Sequence, residues 1–119
     1  LGLSAPVAAA EVEIQAGVFG GTLYQMSYAF TEVLKVNAPD IKATAVETSG
    51  SATGIVKAFA DPKKRVVAGT LVPFLEARKG VAPYKQSYPG LQVIGNLSEN
   101  IQTLITYDPK IQTISDLKG

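Results

Sequence analysis

Gly17-Val18-Phe19-Gly20-Gly21-Thr22 separates two stretches of different hydrophobic period, and this junction constrains the fold more than any other feature of the chain. Ahead of it, Val12, Ile14 and Ala16 alternate with Glu11, Glu13 and Gln15, the period of a strand with one covered face. Behind it, Leu23, Met26, Phe30, Val33 and Leu34 recur at helical spacing and form the expected apolar face of a helix. The spacing predicts a strand from Glu13 to Val18 and a helix from Thr22 to about Val36. Thr22 and Gln25 stand at the separation of a capping box. A strand that turns on glycine and aims a helix N-terminus beyond its own end has the geometry of an anion site.

The same alternation continues along the chain. Pro39 ends the first helix, because it has no amide to donate and disfavours helical geometry at Ala38. A second strand is predicted from Ile41 to Glu47. Thr48-Ser49-Gly50-Ser51 then opens a second helix, with Ser49 or Ser51 as its cap and Ile55, Val56 and Phe59 as its apolar face. That helix stops at Asp61-Pro62. The continuous apolar run Val66 to Leu71 suits a strand covered on both faces. A short helix follows from Val72 to Lys79 and ends at Gly80, and Val81 to Gly90 reads as a loop. Leu91 to Leu97 and Ile101 to Tyr107 read as two more strands. Strands alternating with helices imply right-handed crossovers and a mainly parallel sheet, so the fold class is α/β.

Ligands of an open parallel sheet bind beyond the carboxyl ends of its strands. Three such ends fall at Phe19 to Thr22, Thr48 to Ser51 and Thr70 to Val72, all rich in amides, hydroxyls and small residues. Taken singly, each turn reads first as a helix cap. Their arrival on one edge is what makes a site for a carboxylate, phosphate or sulfonate. Tyr24 is placed to roof that site, and Tyr28, one turn further in, to pack. Glu47 either meets an ammonium group or ribose hydroxyls of a ligand or has no role. Lys63-Lys64-Arg65 precedes a strand, lies at the opposite edge, and reads as a solvated turn.

Composition excludes much of the remaining chemistry. The chain has neither cysteine nor histidine, so it cannot by itself build a thiol nucleophile, a Ser-His-Asp relay or the usual zinc site. No acidic cluster has cation-ligand spacing, and no catalytic residue, metal or cofactor is assigned. A dinucleotide fingerprint starting at Gly17 would need glycine where Phe19 and Thr22 stand, and a phosphate loop would need a lysine that is not there. With 119 residues and a net charge of +1, the chain suits one domain without broad attraction to nucleic acid. Residues 1–10 are uncharged and small, with Ala8 and Ala10 in A-x-A register, and read as the tail of a secretory signal or as a flexible leader.

Four stretches carry a family resemblance: Phe19-Gly20-Gly21-Thr22-Leu23-Tyr24, Lys42-Ala43-Thr44-Ala45, Thr48-Ser49-Gly50-Ser51 and Ser115-Asp116-Leu117-Lys118-Gly119. In that order and spacing they resemble the TAXI branch of solute-binding proteins serving tripartite ATP-independent periplasmic (TRAP) transporters, over Glu13 to Gly119. The resemblance implies a type II periplasmic binding protein without catalytic activity. Residues 11–119 would be its first three-layer α/β/α lobe, ending near the crossover to a second lobe that this sequence does not contain. It implies capture of a small organic acid, glutamate-like or another carboxylate, and delivery to a membrane permease from the periplasm. By position, the ligand-contacting turns map onto Phe19, Gly20, Gly21, Thr22 and Tyr24, onto Thr48, Ser49, Gly50 and Ser51, and onto Thr70. The chain departs from the family pattern at Leu23, where an aromatic residue is usual, and at Asp61-Pro62-Lys63-Lys64-Arg65, where the family has an acidic, glycine-containing turn. A lobe without its partner is expected to self-associate through Ile101, Leu104 and Ile105. An effector-binding domain of a regulator, a thiamine-precursor or sulfonate-type binding protein and a small nucleotide enzyme remain alternatives.

Overall fold

A computed structural model describes residues 9–99 and 105–117. In chain order these form β1 (Ala10–Gln15), α1 (Thr22–Asn37), β2 (Ile41–Val46), α2 (Ser51–Ala60), β3 (Arg65–Val67), α3 (Leu71–Lys79) and a short 3₁₀ helix at Ile114–Leu117. The three strands make one parallel sheet in the order β2-β1-β3.

Burial shows how the layers are arranged. Ile14 and Gln15 are neighbours on the central strand and so face opposite sides of the sheet, yet both are buried. On one side, Ile14 lies in register with Ala45, and Ile41, Ala43 and Ala45 are half-buried under α1 while Lys42 and Thr44 are exposed. On the other side α2 lies so close that a Cβ at Gly54 would stand 3.3 Å from the Gln15 Cβ and 3.2 Å from the Val67 Cγ1. The fold is therefore α/β, with a parallel sheet between helices. No helix among the described residues is long and apolar enough to cross a membrane.

Several boundaries differ from the sequence reading, each for a local reason. β1 begins and ends three residues early, because Gly17 turns away with φ +83° and gives its amide to a side chain instead of a ladder. β3 is only three residues long. Its last ladder-like bond is the Ala68 N–H to the Gln15 carbonyl at 3.0 Å, and Leu71 already starts α3. Leu91 to Leu97 is not a strand. It has no ladder partner among the described residues, and with the open edge of β3 it lines a cavity of about 560 Å³ whose walls include Val66, Phe74, Val93 and Ile94. Ile105 to Tyr107 is exposed and not in a strand; the rest of the expected strand from Ile101 lies outside the described residues, as does the leader up to residue 8. The closing motif forms its 3₁₀ turn around Asp116, whose carboxylate accepts the Thr113 and Gln112 N–H groups and the Thr113 hydroxyl, holding its pKa below the usual range.

The helix faces are also rotated from expectation. α1 turns Ser27 and Thr31 into the protein, while Phe30 and Val33 stay exposed. Ser27 donates to the Leu23 carbonyl and Thr31 to the Tyr28 carbonyl, both at 2.7 Å, so two small side chains are buried with their hydroxyls already partnered. In α2, Ile55 is buried as expected, but Val56 and Phe59 are largely exposed. The loop after α3 fills the space instead. Tyr84 and Tyr88 join Ile55 and Ala77 in one core cluster, and the Tyr88 ring meets Phe59 edge-on at 4.8 Å.

Arg65 does not belong to a solvated turn, although Lys63 and Lys64 do. It opens β3 directly opposite Glu13, and its Nε donates to the Glu13 carboxylate at 2.6 Å. The Gln15 amide donates to the same carboxylate at 3.3 Å, giving the sheet a polar stitch at its amino half.

Candidate functional site

Parallel strands deliver every following loop to one edge, and this explains why the sequence-predicted residues meet. Phe19, Gly20 and Gly21 follow β1, with Thr22 and Tyr24 in the first turn of α1. Thr48, Ser49 and Gly50 follow β2, with Ser51 opening α2, and Thr70 follows β3. The strand order winds from β1 to β2 on one side and from β2 over to β3 on the other, so the loops after β1 and β3 diverge. By topology that divergence lies at the carboxyl ends, the place where such sheets hold ligands, although of the sequence-predicted site residues only Thr70 lines the cavity described above.

Hydrogen bonds tie the three loops together. Thr48 is buried, and its Oγ1 accepts the Gly17 N–H at 3.0 Å while its own N–H donates to the Gly17 carbonyl at 2.9 Å. The same hydroxyl donates to the Gly50 carbonyl at 3.2 Å. The Glu47 Oε1 accepts the Phe19 N–H at 3.1 Å, and the Ser51 hydroxyl accepts the Thr70 N–H at 3.4 Å.

Neither expected side-chain cap forms. The N-caps of α1, α2 and α3 are Gly21, Gly50 and Thr70, and none of them caps its own helix with a side-chain hydrogen bond. Gln25 does reach back, but to donate to the Gly20 carbonyl at 2.9 Å. Ser49 shares its hydrogen bond with the Thr53 hydroxyl at 2.7 Å, and Ser51 is committed to Thr70. The first turns of α1 and α2 therefore stand at the carboxyl edge without a side-chain cap among the described residues, and amides so placed favour negative charge.

Tyr24 is half-buried with its ring 5.1 Å from the Phe19 ring, and Phe19 is 73% exposed. Tyr28 does not pack as expected; it is exposed on the outer side of α1. Sequence reasoning also missed the burial of Thr48. The run of small hydroxylic residues signals a turn without telling which hydroxyl points inward. Among the described residues no group of three or more acidic side chains is gathered to hold a metal ion.

Thr48→Val tests how far this knot holds the edge. It keeps the shape and leaves the Gly17 amide buried without a partner, so it is expected to cost about 1–3 kcal/mol. Thr48→Ser should keep most of that stability, and urea denaturation of the three proteins measures the difference. Equal midpoints for Val and Ser would mean the hydroxyl is not what joins the loops.

Comparisons with protein families, with characterised proteins and with solved structures found no match to this chain.

Proposed function

We propose that this chain is a ligand-binding α/β lobe that captures a small organic acid without turning it over. The observation that carries the reading is the carboxyl edge itself, where helix starts without side-chain caps converge with a buried, hydrogen-bonded frame behind them. The resemblance to TAXI-type proteins supports a periplasmic location and delivery to a TRAP-type permease.

Magnitudes set what one lobe can do. A helix N-terminus offers an anion roughly 0.3–2 kcal/mol. Each hydrogen bond to a charged group adds about 1.5–3 kcal/mol. Micromolar affinity needs about 8 kcal/mol net, so the lobe alone binds weakly and a second lobe must close over the ligand for tight capture.

Ser51→Asp and Thr22→Asp separate binding from folding. Each puts a carboxylate on the first residue of a helix whose first turn has no acidic residue, which favours the helix. The same charge repels an acid docking there. Binding of small carboxylates, followed by chemical-shift titration, is expected to fall at least about tenfold while the melting temperature holds or rises. Unchanged binding in both variants, or no acid binding to the parent chain, would rule the reading out.

A further inference from the structure

We propose that the slot between β3 and residues 91–96 takes up one extended strand of a partner chain, acidic at the end that lies by Arg65. This site is separate from the acid site of the carboxyl edge and does not depend on it. β3 is an edge strand, paired with β1 on one side only. The Glu13 N–H donates to the Lys64 carbonyl and the Ala68 N–H to the Gln15 carbonyl, so Lys64, Val66 and Ala68 turn their main-chain groups to β1. The alternation of a strand sends the Arg65 carbonyl, the Val67 N–H and carbonyl and the Gly69 N–H the other way. None of these four has a hydrogen-bond partner among the described residues. Acceptor, donor, acceptor, donor is the row of groups that a neighbouring strand reads.

The far wall of the slot has the same want. The main-chain groups of residues 92–96 make no hydrogen bond among the described residues, and Val93 and Ile94 are largely exposed. Between the two walls lies the cavity of about 560 Å³, with Ile55, Val67, Phe74 and Leu91 on its sides. A compact apolar molecule would fill that volume and leave both rows of backbone groups unanswered. A strand laid between them answers both, and its side chains enter the apolar sides. Charge sets which end is acidic. Arg65 is the one charged residue on the cavity wall among the described residues. Lys57, whose carbonyl accepts from its Nη1 at 3.4 Å, stands beside it with Lys63 and Lys64, while Glu13 and Asp61 offset only part of this charge. An acidic residue on the incoming strand complements what is left.

The test is a chemical-shift titration of the chain with the peptide acetyl-Glu-Val-Thr-Val-Thr-Val-Glu-amide, which brings an acid to the Arg65 end in either strand direction. One control carries lysine in place of both glutamates. A second carries N-methyl groups on its valines, which keeps the side chains and removes the main-chain donors of one edge. The Val67 and Gly69 amides are expected to move with the acidic peptide, while those of Thr22 and Ser51 at the carboxyl edge stay where they are. The methylated peptide should bind at least about tenfold more weakly, the loss of more than one main-chain hydrogen bond. The lysine peptide should bind about three- to tenfold more weakly, a gap that narrows as salt is added. Lys57→Glu combined with Lys63→Glu should reverse that preference, and both side chains are exposed, so the fold is kept. The proposal fails if the methylated peptide binds as tightly as its parent, if the lysine peptide matches the acidic one, if the shifts fall at the carboxyl edge, or if no peptide binds. A dimer of the parent chain that the acidic peptide does not displace would put a second copy in the slot, and would overturn it as well.

Discussion

Gly80→Val is expected to destabilise the fold by about 2–5 kcal/mol, combining a left-handed backbone penalty with a steric one. Gly80 ends α3 at φ +70°, ψ 28°, a conformation that side chains other than glycine rarely adopt. The space around it is also closed. A Cβ there would stand 2.8 Å from the Ser87 nitrogen and 3.0 Å from the Gln86 carbonyl carbon, and backbone atoms of that kind cannot swing aside. The loop would have to retreat as a body. Tyr88, one residue further on, would go with it, losing the bond from its N–H to the Ala77 carbonyl at 2.9 Å and its contact with Phe59. Gly90→Val is the control, because its added carbon meets nothing within 4 Å and its φ is not in the left-handed region. Urea denaturation of both variants decides the matter; equal losses would show that the loop yields freely.

Ile55→Ala is expected to cost about 2–5 kcal/mol, the usual range for emptying a tightly packed aliphatic site. Ile55 is 3% exposed and is the residue through which α2 meets Ala77, Tyr84 and Tyr88. The tyrosine rings beside it hold one another at 5.8 Å, edge to face. Domains of this size have only about 5–15 kcal/mol in total, so this one substitution removes a large share. Val56→Ala, on the exposed side of the same helix, should cost well under about 1 kcal/mol. Tyr84→Phe should cost little, as it deletes a buried hydroxyl that has no partner among the described residues. Thermal and urea unfolding of the three variants should keep that order, and a loss at Val56 as large as at Ile55 would contradict the packing described.

The alternation of strand and helix up to Lys79 was readable because β1 and α1 differ in period, β3 is a continuous apolar run, and each helix has its own stop, Pro39 and Pro62 for the first two and Gly80 for the third. The gathering of Phe19, Thr48, Ser51 and Thr70 was readable for a topological reason: parallel strands send their loops one way. Contacts between distant residues were not readable. Ser51 is a fair cap candidate by local rules, yet its hydroxyl goes to Thr70, nineteen positions along. Arg65 looks like the end of a basic run until the register sets it opposite Glu13. Tyr84 and Tyr88 sit in a stretch with no period at all, so nothing local marks them as core. Leu91 to Leu97 failed in the opposite sense: its residue types suit a strand, but a strand also needs a neighbour to pair with.

The paired bonds between Gly17 and Thr48 run in both directions, amide to hydroxyl and amide to carbonyl, and they couple the ends of β1 and β2 across thirty-one positions of chain. Such a knot is closed when the lobe folds. Its ordering entropy is spent then, so Gly17 and Thr48 would have none to lose if a small molecule binds here as proposed. First contact of a ligand with this part of the edge would accordingly need no reordering of the Gly17–Thr48 junction, whatever closure follows. Differences in affinity among ligands would then show up in how long each one stays.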